Sequence, residues 1–175
     1  MRTNKSYAPA IKWLGIAIAS EKTALSNYLK YAHLARNRGG KEMFIKLAQD
    51  EFQHMTILET ERERLQAGRT WRAVKIPPSP IEQILPQAGR TGKISPDVAN
   101  QNEAQILSLA MKAEKKAMDF YLAQSRKVDD AAAYNLLQRL AKMEEAHYEI
   151  LQAELDNINK TGFWMGLSEI SMETE

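Results

Sequence analysis

The sequence predicts an all-α protein, a four-helix bundle made of two antiparallel helical hairpins joined by a long crossover. Three observations predict it. Apolar residues recur at helical spacing in four long segments, about 8–36, 41–67, 97–127 and 130–160. Glycine and proline gather between those segments rather than inside them. The second half of the chain also repeats the pattern of the first at a constant offset.

The first segment begins after a basic Met1–Lys5, and its Ile11–Ser20 stretch resembles the apolar part of a short secretion signal. Lys12 interrupts that stretch, and the helical pattern continues through Glu21 to Ala32, so a helix is expected there instead. Ile18, Glu21, Leu25 and Tyr28 share its inward face. Asn37, Arg38, Gly39 and Gly40 read as the turn into the second segment, whose inward face is Leu47, Glu51, His54, Leu58 and Leu65. Residues 68–96 hold Pro77, Pro78, Pro80, Pro86 and Pro96 with Gly68, Gly89 and Gly92, and form the crossover. Ser95-Pro96-Asp97 reads as the N-cap and early proline of the third segment. That segment turns Leu107, Ala110, Glu114, Met118 and Tyr121 inward. Asp129 or Asp130 caps the fourth, which turns Leu140, Glu144, His147, Leu151 and Ile158 inward and stops at Thr161-Gly162, leaving a tail over 161–175. β-branched residues are scattered rather than alternating, so strands are not expected. Tight joins make each pair of helices an antiparallel hairpin, and the crossover is long enough to run the length of the bundle. A single domain over 1–175 is expected.

Composition narrows the chemistry. The 175 residues are 44% hydrophobic and 26% charged, with a net charge of +2, which gives no field for nucleic acid or a membrane surface. No apolar run approaches the ~20 residues that span a bilayer. Cysteine is absent, which excludes disulfides, a thiolate nucleophile, iron–sulfur clusters and cysteine-based zinc sites. Any metal must therefore be held by carboxylate and imidazole. The missing cysteine fits a reducing compartment, and a cytoplasmic location is expected.

The repeat is the most informative feature. An offset of 93 (114 − 21) carries Glu21 onto Glu114, Glu51 onto Glu144 and His54 onto His147 without a gap. It also carries Tyr28-Leu29 onto Tyr121-Leu122 and Leu47-Ala48 onto Leu140-Ala141. Each hairpin thus bears a Glu on its first helix and Glu-x-x-His on its second. All four Glu lie on apolar faces, where an unpaired carboxylate costs several kcal/mol. Two divalent cations would balance four carboxylates, with neutral imidazoles completing the ligand shells. Glu and His three apart project side by side, as two ligands of one dinuclear centre require. A lone Glu-x-x-His is a weak signal; two copies in matched register are a strong one.

This pattern resembles the ferritin-like di-iron carboxylate superfamily, and within it most closely the rubrerythrins, over roughly residues 8–165, including the Thr161-Gly162-Phe163-Trp164-Met165 that follows the fourth helix. The resemblance implies a ferritin-like bundle with a metal site of Glu21, Glu51, His54, Glu114, Glu144 and His147. By analogy Glu51 and Glu144 bridge the metals, Glu21 and His54 complete one, and Glu114 and His147 the other. Two iron ions per chain are implied, manganese or a mixed pair being alternatives. Two departures matter. The four-cysteine rubredoxin module usual in rubrerythrins is missing, and the further Glu three residues after the third-helix ligand is Ala117 here.

The expected function is that of an oxidoreductase reducing hydrogen peroxide or dioxygen, with ferrous ion or an electron-transfer protein as donor. The alternatives are a ferroxidase of an iron-storage shell, a non-catalytic metal-binding protein and a hydroxylase of an organic substrate. Too few residues follow Gly162 for the ordered fifth helix of a large shell, and the helix surfaces are too charged for a hydroxylase, so a homodimer is expected. Tyr28 and Tyr121 are candidates for hydrogen bonds to ligand carboxylates or for core packing. Asp50 and Glu145 adjoin ligands in sequence but point about 100° away, so both are expected outside. The run from Glu59 to Arg64 reads as a solvated face, His33 as a surface or capping residue, the methionines as core, and Phe163 and Trp164 as a cap on the bundle's open end or a dimer contact.

Overall fold

Four long helices make up most of the chain in a computed structural model that describes residues 7–88, 94–98 and 101–165. Helix α1 (Ala8–Leu34) starts with a proline in its first turn, where a missing N–H costs nothing. Helix α2 (Arg38–Gln66) is capped by buried Asn37, whose side chain accepts from Gly40 N at 3.0 Å. Gly39 and Gly40 therefore belong to the first turn of α2 and not, as the sequence suggests, to the turn before it. Packing is the reason. The Trp164 ring lies against Gly40, where a Cβ would come within 2.8–2.9 Å of it.

The crossover is structured over its described residues 68–88. Gly68, at φ 70°, ends α2 in the left-handed region. Trp71 stacks on Trp13 with centroids 5.7 Å apart and pins the start of the crossover to α1. Short helix α3 (Pro80–Ile84) is held by a capping box between Ser79 and Glu82 and buries Ile81 and Ile84. Arg139 of α5 (Ala131–Thr161) pairs with Glu82 and donates to the carbonyl of Pro77 at 2.9 Å.

Ser95-Pro96-Asp97 does not cap a helix. Residues Ile94–Val98 form strand β1, antiparallel to β2 (Phe163–Met165), and α4 (Gln101–Ser125) begins later. Proline biases the residue before it towards extended backbone, and in a two-stranded ribbon every strand is an edge that tolerates a proline. Asp130, of the two candidates, caps α5 by accepting from Ala132 N and Ala133 N, and Gly162 at φ 78° ends it. Residues 166–175 of the expected tail lie outside the described residues.

Helices α1 with α2 and α4 with α5 form the two hairpins, and α1 also meets α4. Two apolar clusters fill the interior. One, around Tyr28, Phe44, Leu107, Ile150 and Trp164, lies towards the α1–α2 turn; the other, around Leu14, Leu58, Tyr121, Leu137 and Leu140, lies towards the opposite end. Between them each of the four long helices turns a buried glutamate inward. Among the described residues no helix is long and apolar enough to cross a membrane.

Glu61, in the run expected to be a solvated face, is fully buried. Its carboxylate accepts from Arg72 N at 3.2 Å. Its repeat partner Glu154 is also buried and accepts from Met165 N at 2.7 Å, again eleven residues on. Each hairpin thus uses a buried glutamate on its second helix to hold the segment that leaves it. The same offset relates Trp71 to Trp164, one packing at each end of the bundle.

Candidate metal centre

The six acidic and imidazole side chains singled out by the repeat meet in one layer midway along the bundle. None is more than 2% exposed. Ligand atoms of Glu21, Glu51, His54 and Glu144 lie within 4.8 Å of one another, and so do those of Glu51, Glu114, Glu144 and His147. The two quartets share Glu51 and Glu144. The imidazoles stack with centroids 5.5 Å apart. His54 Nδ1 is 3.1 Å from Glu144 and 3.3 Å from Glu21, while His147 Nδ1 is 3.1 Å from Glu51 and 3.4 Å from Glu144.

Three further side chains support this layer. Tyr28 of α1 donates to Glu114 of α4, and Tyr121 of α4 donates to Glu21 of α1, so each phenol reaches across to the other hairpin. Burial and the facing carboxylates push both phenols well above their usual pKa, which keeps the O–H as a donor. The third is Asp50. Expected outside, it is 1% exposed, and His147 Nε2 donates to its Oδ2 at 3.1 Å. The reason is tertiary: a side chain 100° from the inward Glu51 faces solvent on an isolated helix, but on α2 it faces α5. Glu145 and His33 are exposed, as expected.

Without a cation the layer is electrostatically strained. Burial, then Glu144 and the other carboxylates, raise Glu51 well above the usual carboxylate range, and burial raises Glu114 to about 8. For Glu144 burial acts upwards, but His54 and His147 outweigh it and hold the carboxyl well below that range. Burial depresses the imidazoles, yet the surrounding carboxylates, with Asp50 for His147, raise both overall. Protons are thus shared among groups that cannot all carry their ordinary charges.

The donor set fits metal. Glu51 Oε1, both Glu144 oxygens and His147 Nδ1 are buried with no hydrogen-bond partner among the described residues, although each belongs to the cluster. Buried acceptors without donors are costly. Cations placed among them would satisfy these lone pairs and neutralise the carboxylates together. Oxygen-rich ligation with one imidazole per quartet suits iron or manganese better than copper. A cavity of about 210 Å³ between α1 and α4, lined by Ile16, Ala17, Ser20, Lys116, Ala117 and Phe120, reaches Glu21 and Tyr121 from the surface.

Comparison with known proteins points the same way. The rubrerythrin family model matches residues 12–155. Among solved structures, a hypothetical protein from Pyrococcus furiosus is similar over 84% of this chain and 88% of its own, with 26% identity and a TM-score of 0.63. No curated protein matches.

Proposed function

The chain belongs to the rubrerythrin family, and from that premise we propose that it is a dinuclear metal oxidoreductase, with iron as the metal, that reduces hydrogen peroxide or dioxygen. The observation that carries this reading is the pair of overlapping buried quartets sharing Glu51 and Glu144. In this reading Glu51 and Glu144 bridge, Glu21 and His54 complete one position, and Glu114 and His147 complete the other. Two ferrous ions held there would supply two electrons to an oxidant without releasing a one-electron product.

The protein's own groups have definable roles. Tyr28 and Tyr121 hold one oxygen each of Glu114 and Glu21, fixing the terminal carboxylates while leaving their other oxygens towards the centre. The apolar clusters above and below exclude bulk water. The opening between α1 and α4 has room for a molecule the size of dioxygen or peroxide beside Glu21, with Lys116 at its lining. The electron donor in this proposal is ferrous ion or a small electron-transfer protein, since no cysteine is present to hold a rubredoxin-type iron. A homodimer in the cytoplasm is part of the same proposal.

Metal analysis of protein purified without chelator tests the first step, and two iron ions per chain are expected. Anaerobic loading with Fe(II) followed by oxidant tests the second: one equivalent of peroxide, or half an equivalent of dioxygen reduced to water, should be consumed per pair of ferrous ions. Metal bound without oxidant consumption would make the protein a metal buffer. Continued uptake of iron well beyond two per chain would favour storage.

A further inference from the structure

Asp50 breaks the two-fold likeness of the centre. The offset that carries Glu51 onto Glu144 carries Asp50 onto Met143. His147 therefore donates from Nε2 to a buried carboxylate, at 3.1 Å, while its Nδ1 faces the cluster. A carboxylate only accepts, so in the neutral ring that binds metal this bond keeps the proton on Nε2 and turns the Nδ1 lone pair to the cluster. His54 is turned the same way, Nδ1 towards Glu21 and Glu144, but its buried Nε2 has no hydrogen-bond partner among the described residues. Where the repeat would set an acceptor there is Met143, fully buried, whose thioether accepts only weakly.

We propose that the two metal positions are unequal: the one on Glu114 and His147 fills first and holds metal more tightly, and the one on Glu21 and His54 fills second and releases it first. This rests on the dinuclear reading above. Asp50 acts as a positioning residue. It fixes the tautomer and angle of His147 and makes its Nδ1 a stronger donor, an effect that typically changes metal affinity by about 10–100-fold. Binding a metal at His54 Nδ1 instead requires a buried Nε2–H left without an acceptor. The phenol contacts are paired between the halves. Tyr28 serves Glu114 as Tyr121 serves Glu21, so the difference does not come from the phenols.

The test uses the full chain freed of metal and titrated with Co(II), which is not oxidised during the measurement. Calorimetry should show two steps separated by about 10–100-fold. Crystals grown with one equivalent of Co(II) should give an anomalous peak between Glu114 and His147 and little between Glu21 and His54. Asp50→Asn should weaken the first step about 10-fold or more, whereas Glu145→Gln, at the exposed neighbour of a ligand, should leave both steps unchanged. Met143→Asp should strengthen the second step and draw the two together. If that variant does not fold, the anomalous map of the unaltered protein decides alone. Equal occupancy of the two positions, earlier filling at His54, or an Asp50→Asn protein with an unchanged first step would overturn the proposal while leaving the dinuclear reading intact. No cobalt bound at all would overturn the dinuclear reading itself.

Discussion

Single residues set what the centre holds and what reaches it. Glu51 and Glu144 belong to both quartets, whereas each of the other four belongs to one. Glu51→Ala or Glu144→Ala should therefore abolish binding of both metals, and Glu21→Ala should weaken chiefly one; metal content per chain measured by elemental analysis distinguishes them. Either bridging variant retaining two metals at full occupancy would contradict the assignment. Ala117 bears on the proposed choice of oxidant. It lines the opening beside Glu21 and Tyr121, one turn from Glu114, where the rubrerythrin pattern has another Glu. With no spare carboxylate there, His54 and His147 should both remain ligands in the reduced and oxidised states. Ala117→Glu should raise the rate of reoxidation by peroxide relative to dioxygen and narrow the opening. Stopped-flow oxidation of the di-ferrous protein by each oxidant measures the ratio, and an unchanged ratio would show that position 117 does not set it.

Elements depend on how their ends are tied. The turn into α2, the C-terminus of α5 and the β1–β2 ribbon meet where Trp164 packs on Gly40 and edge-on to Phe44 at 6.0 Å. Gly40→Ala drives a methyl into a fully buried ring and should cost about 1–3 kcal/mol, read as a lower melting temperature with unchanged metal stoichiometry. Glu154 ties the same end through Met165 N, and burial raises its carboxyl to about 8. Its sign follows directly. Between the ordinary carboxylate pKa and 8 the folded chain keeps a proton that the unfolded chain has lost, so stability falls as pH rises through this window and then levels off. Glu154→Gln keeps an oxygen for Met165 N without a charge. It should change stability little at pH 5 and raise it above pH 8 by on the order of 1–3 kcal/mol. Equal pH profiles for the two proteins would show that Glu154 is not held in its neutral form.

At the scale of the whole molecule, the polar layer is where the two hairpins meet. Tyr28–Glu114 and Tyr121–Glu21 join α1 to α4, and His147–Asp50 joins α5 to α2. Metal removal should therefore loosen the association of the hairpins more than either hairpin itself. In the metal-free chain the raised carboxyls of Glu51 and Glu114 and the raised imidazoles act in one direction. Each favours folding most at low pH, and that contribution is lost as pH rises through the folded-state values, near 8 for Glu114. Glu144, held low, contributes the opposite dependence only in acid. Metal binding gains with pH because fewer protons compete for the ligands. The gap in melting temperature between loaded and metal-free protein should thus widen from pH 5.5 to pH 8. Two superimposable melting curves at pH 8 would show that the layer does not carry metal.

The helical periodicity and the 93-residue repeat determined the four-helix bundle, the hairpin pairing and the six residues that meet at its centre. They could do so because a carboxylate on an apolar helical face is expensive wherever the helix packs, and the same exception made twice in register has few other causes. The offset extends further than ligand chemistry requires, to Glu61 with Glu154 and Trp71 with Trp164, pairs that the sequence carries but whose burial only the packing decides. Other features belong to tertiary structure alone. Ser95-Pro96-Asp97 has the composition of a helix start, and only the pairing of 94–98 with 163–165 makes it a strand. Gly39 and Gly40 have the composition of a turn, and only the Trp164 ring places them inside α2. Asp50 lies beside a ligand in sequence and 100° from it in angle; whether that direction meets water or a histidine depends on where α5 packs. Periodicity along one helix reports which face is buried, but the partner of each flank is fixed by the packing of the other helices.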